Sequence, residues 1–187
     1  VELIDKMGSD LSVVNAARVS YSKVGDEMTD KDEKLIKYLV EHDHWSPFAH
    51  ATIQFRIQAP IYVARQLVKH QVGLSWNEVS RRYVSYEPEL RRIDQWRGKP
   101  ENSKQGSSGL IDLPPEVIDR YNRNLDESVK IYKELVYFGV APEQARTVLP
   151  QCMQTEWIWS GTLYAFARVC NLRCQPDTQE ETRSIAN

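Results

Sequence analysis

Side chains able to do chemistry are concentrated between residues 66 and 86, QLVKHQVGLSWNEVSRRYVSY. Lys69, His70 and Gln71 come first, Gly73 releases the backbone, and Ser75, Asn77, Glu78, Ser80, Arg81, Arg82 and Tyr83 follow. Cations, amides and hydroxyls beside a single carboxylate are the donors that hold a polar, anionic small molecule. A solvated surface loop is the plain alternative, but so dense a set of donors exceeds what solubility needs. Immediately upstream, Ile61, Ala64, Leu67 and Val68 recur at helical spacing, so the loop hangs on the end of an apolar-striped helix.

Composition narrows what that chemistry serves. The chain has 187 residues, enough for one sizeable core. Lys and Arg number 24 against 26 Asp and Glu, a formal net charge of -2, so no global field draws the chain to nucleic acid or an acidic membrane. Cys152, Cys170 and Cys174 are odd in number and crowd the C-terminal part. They read as reduced thiols of a cytoplasmic protein rather than a disulfide framework. No apolar run has the length of a membrane span, and no signal peptide is visible.

The elements that position the loop follow from period and punctuation. Helices are expected at 9–19, capped by Ser9 or Asp10, and at 29–41, capped by Thr29 with Asp30, Asp32 and Glu33 in its first turns. Residues 42–50 form a turn, because Pro47 excludes helix at Ser46. From 49 to 58 the period becomes two, with Ala51, Ile53, Phe55 and Ile57 on one side of a half-buried strand. Pro60 then opens the helix leading into the donor-rich loop. Residues 91–109 read as a mobile or ligand-covering insertion. A long helix runs from Pro114-Pro115 to about Phe138 on Val117, Tyr121, Leu125, Val129, Tyr132 and Val136. A short helix at 142–148 follows, then a strand at 151–160. The next helix, 161–172, is expected to turn Leu163, Phe166, Ala167 and Cys170 inward, and the tail from Gln175 has the makings of one more. The fold class is α+β: one domain, 1–187, with a small, mostly antiparallel sheet flanked by helices.

The residues at these seams resemble the flavin-dependent thymidylate synthases. The runs are AARVS (16–20), HWSPFAH (44–50), APIYVARQ (59–66), KHQ (69–71) with NEVSRRY (77–83), ARTVLP (145–150) and NLR (171–173). The family signature is Arg-His-Arg followed at short range by Ser; here it reads Lys69-His70-Gln71, with eight residues before Ser80. Lys69 keeps the charge without the planar fork, and Gln71 keeps an amide donor without the charge.

The resemblance implies a cytoplasmic homotetramer with active sites shared between subunits, converting dUMP to dTMP. It implies FAD as cofactor, which also takes part in carrying the methylene, with methylenetetrahydrofolate as carbon donor and NADPH as electron donor. By motif matching, Gln66, Lys69, Glu78, Ser80, Arg81, Arg82, Arg146 and Arg173 hold dUMP. Ser46, Lys69, His70, Gln71, Glu78 and Arg168 lie along FAD. The resemblance also makes Arg173, the arginine of NLR, the catalytic residue: it sits against the pyrimidine and favours the ionised form whose C5 is nucleophilic.

Rival readings are weaker. A thiol-dependent thymidylate synthase would use Cys152, but only Arg146 is nearby in sequence to stabilise a thiolate. A non-catalytic nucleotide- or RNA-binding module would rest on the short Arg81-Arg82 patch against the net charge. Ser80 lacks a nucleophile elbow. His42, His44 and His50 lack a Cys or carboxylate at ligand spacing, so a structural or flavin-adjacent role is expected and no metal.

Overall fold

In the computed structural model, which describes residues 1–101 and 106–187, the chain forms four strands and seven α-helices among the described residues. They run β1 (Glu2–Met7), α1 (Asp10–Arg18), α2 (Asp30–Glu41), β2 (Thr52–Pro60), α3 (Ile61–Leu67), β3 (Leu74–Glu78), α4 (Pro115–Tyr137), α5 (Pro142–Ala145), β4 (Gln154–Thr162), α6 (Leu163–Arg173) and α7 (Glu180–Ala186). The strand order is β1-β2-β4-β3, with β1 antiparallel to β2 through pairs such as Glu2 with Arg56 and Met7 with Thr52. This is the expected α+β class. Two compact units make up the chain; three of their boundaries fall inside β2, β3 and β4, and the other two follow Lys69 and Arg173.

Unit 1 comprises Val1–Ile57, His70–Asn77 and Ile158–Arg173. Its helices begin where the caps predict. Ser9 and Thr29 both close reciprocal capping boxes, which satisfy otherwise orphaned first-turn amides. The α2 box does more than cap. Asp32 takes the Thr29 hydroxyl at 2.7 Å and the Thr29 amide at 2.9 Å, and its other oxygen pairs with Arg18 of α1. The Thr29 hydroxyl holds this buried carboxylate below its usual range, helped by the Thr29 amide and Arg18, although burial opposes them. Arg18, part of the AARVS run, is thus a clamp between two helices. Inside the unit, edge-to-face rings link Trp76, Trp159, Phe166 and Phe55 at centroid separations of 5.2–5.6 Å.

Unit 2 comprises Gln58–Lys69, Glu78–Trp157 and Cys174–Asn187. Leu67, Val63, Leu125, Tyr132, Met153 and Trp157 are buried in it. Residues 102–105, part of the expected 91–109 insertion, lie outside the described residues. The described flanks of that insertion pair with each other, Ile111 N donating to Trp96 O at 2.9 Å and Gly98 N to Gly109 O at 3.0 Å. Arg97 ties them to α7 through Glu180 at 3.0 Å and through Glu181.

Three local expectations are corrected. Residues 2–7 form an edge strand that the sequence did not reveal, because all six residues are exposed and no alternation marks them. A second strand, β3, occupies part of the donor-rich loop. The inward face of α6 is Ala165, Phe166 and Val169, while Ala167 and Cys170 are exposed. Gly161 and Thr162 belong to β4, so the helix starts at Leu163 and its buried stripe is rotated from the expected one.

Candidate active site

Within unit 1 the site is built on the corner after α3 and on the last turns of α6. Gly73 holds a left-handed φ of +77°, the turn that sends the chain from His70-Gln71 into β3. The corner sits directly on β4: a Cβ on Gly161 would come within 2.4 Å of the Gly73 carbonyl oxygen. That oxygen accepts the Thr162 amide at 3.2 Å. The predicted residues His70 and Arg173, 103 positions apart, are brought together here, Arg173 Nε donating to His70 Nε2 at 2.9 Å. Burial lowers the His70 pKa below its usual value, and Arg173 and Arg168 lower it further. Arg168 is exposed, its guanidinium 6.0 Å from the centre of the Tyr164 ring. Gln71 and Ser46 are also exposed, Ser46 opening a 3₁₀ turn at Ser46–Ala49.

Within unit 2 the predicted residues fall into three places. Gln66, half-buried on α3, donates to Gln179 Oε1 and accepts the Thr182 hydroxyl at 3.1 Å. Lys69 is exposed where α3 ends. Glu78 accepts the Thr155 hydroxyl at 2.7 Å, and the Ser80 hydroxyl takes the Arg82 amide at 3.3 Å, which tightens the turn. Arg82 is exposed beside Tyr83 and feels the Glu143 carboxylate. Exposed Arg146 donates to the Glu143 carbonyl at 3.3 Å, so Glu143 brings these two cations into one neighbourhood.

Arg81 departs from the expectation. It is 6% exposed, donates to the Tyr86 carbonyl, and lies 4.3 Å from the Tyr86 ring centre and 5.9 Å from that of Tyr132. Packed between rings it anchors the loop, whereas a phosphate needs an open guanidinium face. Arg82 is exposed, with its guanidinium 4.9 Å from the centre of the Tyr83 ring.

Tyr164, Thr155, Glu143, Gln179 and Thr182 were not singled out in the sequence, although each touches or acts on a predicted site residue. Tyr164 on α6 was the findable one, four positions before Arg168 and so on the same helix face. Cys152 is buried, and burial raises its thiol above the usual range. His42 stacks on Tyr38 at 4.1 Å. Among the described residues no cluster of His, Cys, Asp and Glu could hold a metal ion.

The donor set fits a flavin dinucleotide. Within unit 1, Gln71, Ser46 and Arg168 all offer N–H or O–H groups at the surface, as phosphate oxygens and ring carbonyls require. An α+β protein with exposed cations, and with a guanidinium donating to an imidazole, carries the donors that anionic nucleotides require. Residues 2–187 match the model of the thymidylate synthase complementing proteins. The flavin-dependent thymidylate synthase of Thermosipho africanus is 39% identical over 188 residues, covering 100% of this chain and 82% of its own. That of Thermus thermophilus is 38% identical over 186 residues, covering 100% and 68%. Among solved structures, the UMP/dUMP methylase PolB of Streptomyces cacaoi bound with 5-Br dUMP superposes with a TM-score of 0.82. It is 32% identical, with coverage of 99% of this chain and 85% of that one. The chain belongs to the flavin-dependent thymidylate synthase family.

Proposed function

We propose that the chain is the enzyme that reductively methylates dUMP to dTMP. The carbon comes from methylenetetrahydrofolate and the electrons from NADPH by way of FAD. The single observation that carries this reading is the guanidinium of Arg173 at the end of α6, beside a His70 ring on which the acting charges are cations. Such a corner favours negative charge on a neighbouring ring, and uracil needs that charge for its C5 to attack the methylene carbon. Arg173 stabilises the pyrimidine as that charge develops. Arg82 and Arg146, with the Ser80 turn, meet the phosphate of dUMP. Lys69, Gln66 and Glu78 orient the nucleotide, and Arg81 holds the loop that presents them.

Ser46, His70, Gln71 and Arg168, with Lys69 and Glu78, would hold FAD. Bound flavin supplies the hydride that takes the transferred carbon to a methyl group. The chain acts as one domain, 1–187, in a homotetramer whose active sites are shared between subunits, and the three free thiols fit a cytoplasmic setting. No helix of the described residues is long and apolar enough to cross a membrane. Neither membrane nor nucleic acid is a partner in this reading. The RNA-binding alternative loses its support with Arg81 buried.

The test is a visible spectrum of the purified protein followed by anaerobic reduction with NADPH and addition of dUMP with methylenetetrahydrofolate. Flavin absorption, and reoxidation that yields dTMP only when both substrates are present, is the expected result. A protein that binds no flavin, or one that forms dTMP without it, overturns the reading.

A further inference from the structure

A cofactor contact alone leaves the most specific feature of His70 without a role. Arg173 approaches it through Nε, the nitrogen nearest the aliphatic stem. A guanidinium is a rigid plane with five N–H groups, so fixing the Nε–H direction fixes the plane. The four remaining N–H groups, all on the terminal nitrogens, are left for other partners. The contact also dictates the state of the ring: His70 Nε2 must offer a lone pair, which places the single proton of the neutral imidazole on Nδ1.

We propose that His70 is a positioning residue for Arg173, accepting its Nε–H and so aiming the terminal nitrogens of the guanidinium at the pyrimidine. The aim toward the pyrimidine rests on the proposed function; the contact itself does not. The surroundings maintain the acceptor. Arg173 and Arg168, both on α6, are the charged groups acting on the ring, and burial adds to them in keeping it neutral. Protonating His70 would remove the lone pair and set a cation against the Arg173 guanidinium. Acid therefore weakens the aim of Arg173, while the phosphate contacts of Arg82 and Arg146 have no part in the pairing.

Two measurements test this. The first needs no turnover: nitrogen NMR of histidine-labelled protein, with and without FAD. Wild-type His70 is expected neutral at pH 7 with its proton on Nδ1. In Arg173→Met the ring should lose that tautomer preference and titrate closer to 6.5. A His70 protonated on Nε2, or a titration unmoved by Arg173→Met, overturns the contact. The second is the pH dependence of dTMP formation in His70→Gln and His70→Ala. Gln supplies an acceptor that does not titrate, so His70→Gln should retain more kcat than His70→Ala and lose the acid limb. His70→Ala should lose about tenfold or more in kcat with KM for dUMP within about threefold. Gln and Ala variants that fail alike through weakened flavin binding would make His70 a cofactor ligand only, against the proposal. If the NMR contact is present but Arg173→Ala turns over like wild type, the functional reading has failed rather than the pairing. Should His70→Ala not fold, the wild-type NMR and His70→Gln decide.

Discussion

Gly161→Ala should cripple the corner that carries His70 without touching a single polar side chain. The added Cβ would lie 2.4 Å from the Gly73 carbonyl oxygen, 2.5 Å from Leu74 Cδ2 and 3.2 Å from Leu74 Cα. A leucine methyl can rotate away, but the carbonyl belongs to backbone. Reaching even 3.0 Å requires it to retreat by 3.0 − 2.4 = 0.6 Å. That oxygen accepts the Thr162 amide at 3.2 Å, and a retreat of this size breaks the bond. Losing one backbone hydrogen bond costs about 1 kcal/mol, and forcing an extra carbon into a packed site adds about 1–3. The sum is roughly 2–4 kcal/mol, or a fall in melting temperature of roughly 5–15 °C for a chain of this size. Because Gly73 is three residues from His70 and fixed at φ +77°, the displacement should also weaken flavin binding. Thermal melting and a flavin titration of the variant measure both effects. A melting temperature within about 2 °C of the parent, with unchanged flavin affinity, would refute the steric reasoning.

Four further outcomes are expected. Arg173→Ala should stay folded, hold flavin and be reduced by NADPH, yet lose about a hundredfold or more in dTMP formation. A merely helix-terminal arginine would affect stability by only about 0.3–1 kcal/mol and leave the rate alone, so wild-type turnover would sink the catalytic role. Cys152→Ala should keep its turnover and lose about 1 kcal/mol of stability for one methylene-sized group; a folded, flavin-bound variant with no activity would restore the thiolate mechanism. Lys69→Arg should tighten dUMP or FAD by about 1 kcal/mol, roughly fivefold in Kd by titration, through a paired contact that an ammonium cannot make. Lastly, the His70 pKa is lowered on folding, so the unfolded chain takes up its proton first. This residue therefore costs nothing above pH 6.5 and destabilises the fold progressively as pH falls below it. Urea midpoints of wild type should drop between pH 7.5 and 5 by more than those of His70→Gln.

Helices were legible wherever capping chemistry and a 3.6-residue stripe agreed. Thr29 with Asp32 announces α2, and the Pro114-Pro115 start announces α4. The two missed strands had no such agreement. Residues 2–7 bury neither face, and β3 is five residues set among polar neighbours, so the period-two signal has nothing to separate. The rotated face of α6 is a matter of register: Leu163, Phe166 and Cys170 satisfy the same period as Ala165, Phe166 and Val169. Only the end of β4 distinguishes the two. For the site, residue type gave the donors but not their direction. Nothing in the letters RR says that Arg81 turns inward onto Tyr86 and Tyr132 while Arg82 faces out. The pairing of Arg173 with His70 is beyond any periodicity, and only ordered motif resemblance placed both in one function. Gln66 likewise finds its partners, Gln179 and Thr182, in a tail whose sequence offered little beyond helix propensity.

The division of the chain has a consequence for recombining it with relatives. The path passes from one unit to the other after Ile57, Lys69, Asn77, Trp157 and Arg173, so each unit is assembled from three separate segments. One of those passages separates Lys69 from His70, inside the signature motif itself. A single-crossover chimera therefore leaves at least one unit, and usually both, made of mixed parentage. Neither unit can be moved as a cassette, and productive hybrids need crossovers chosen in sets of five.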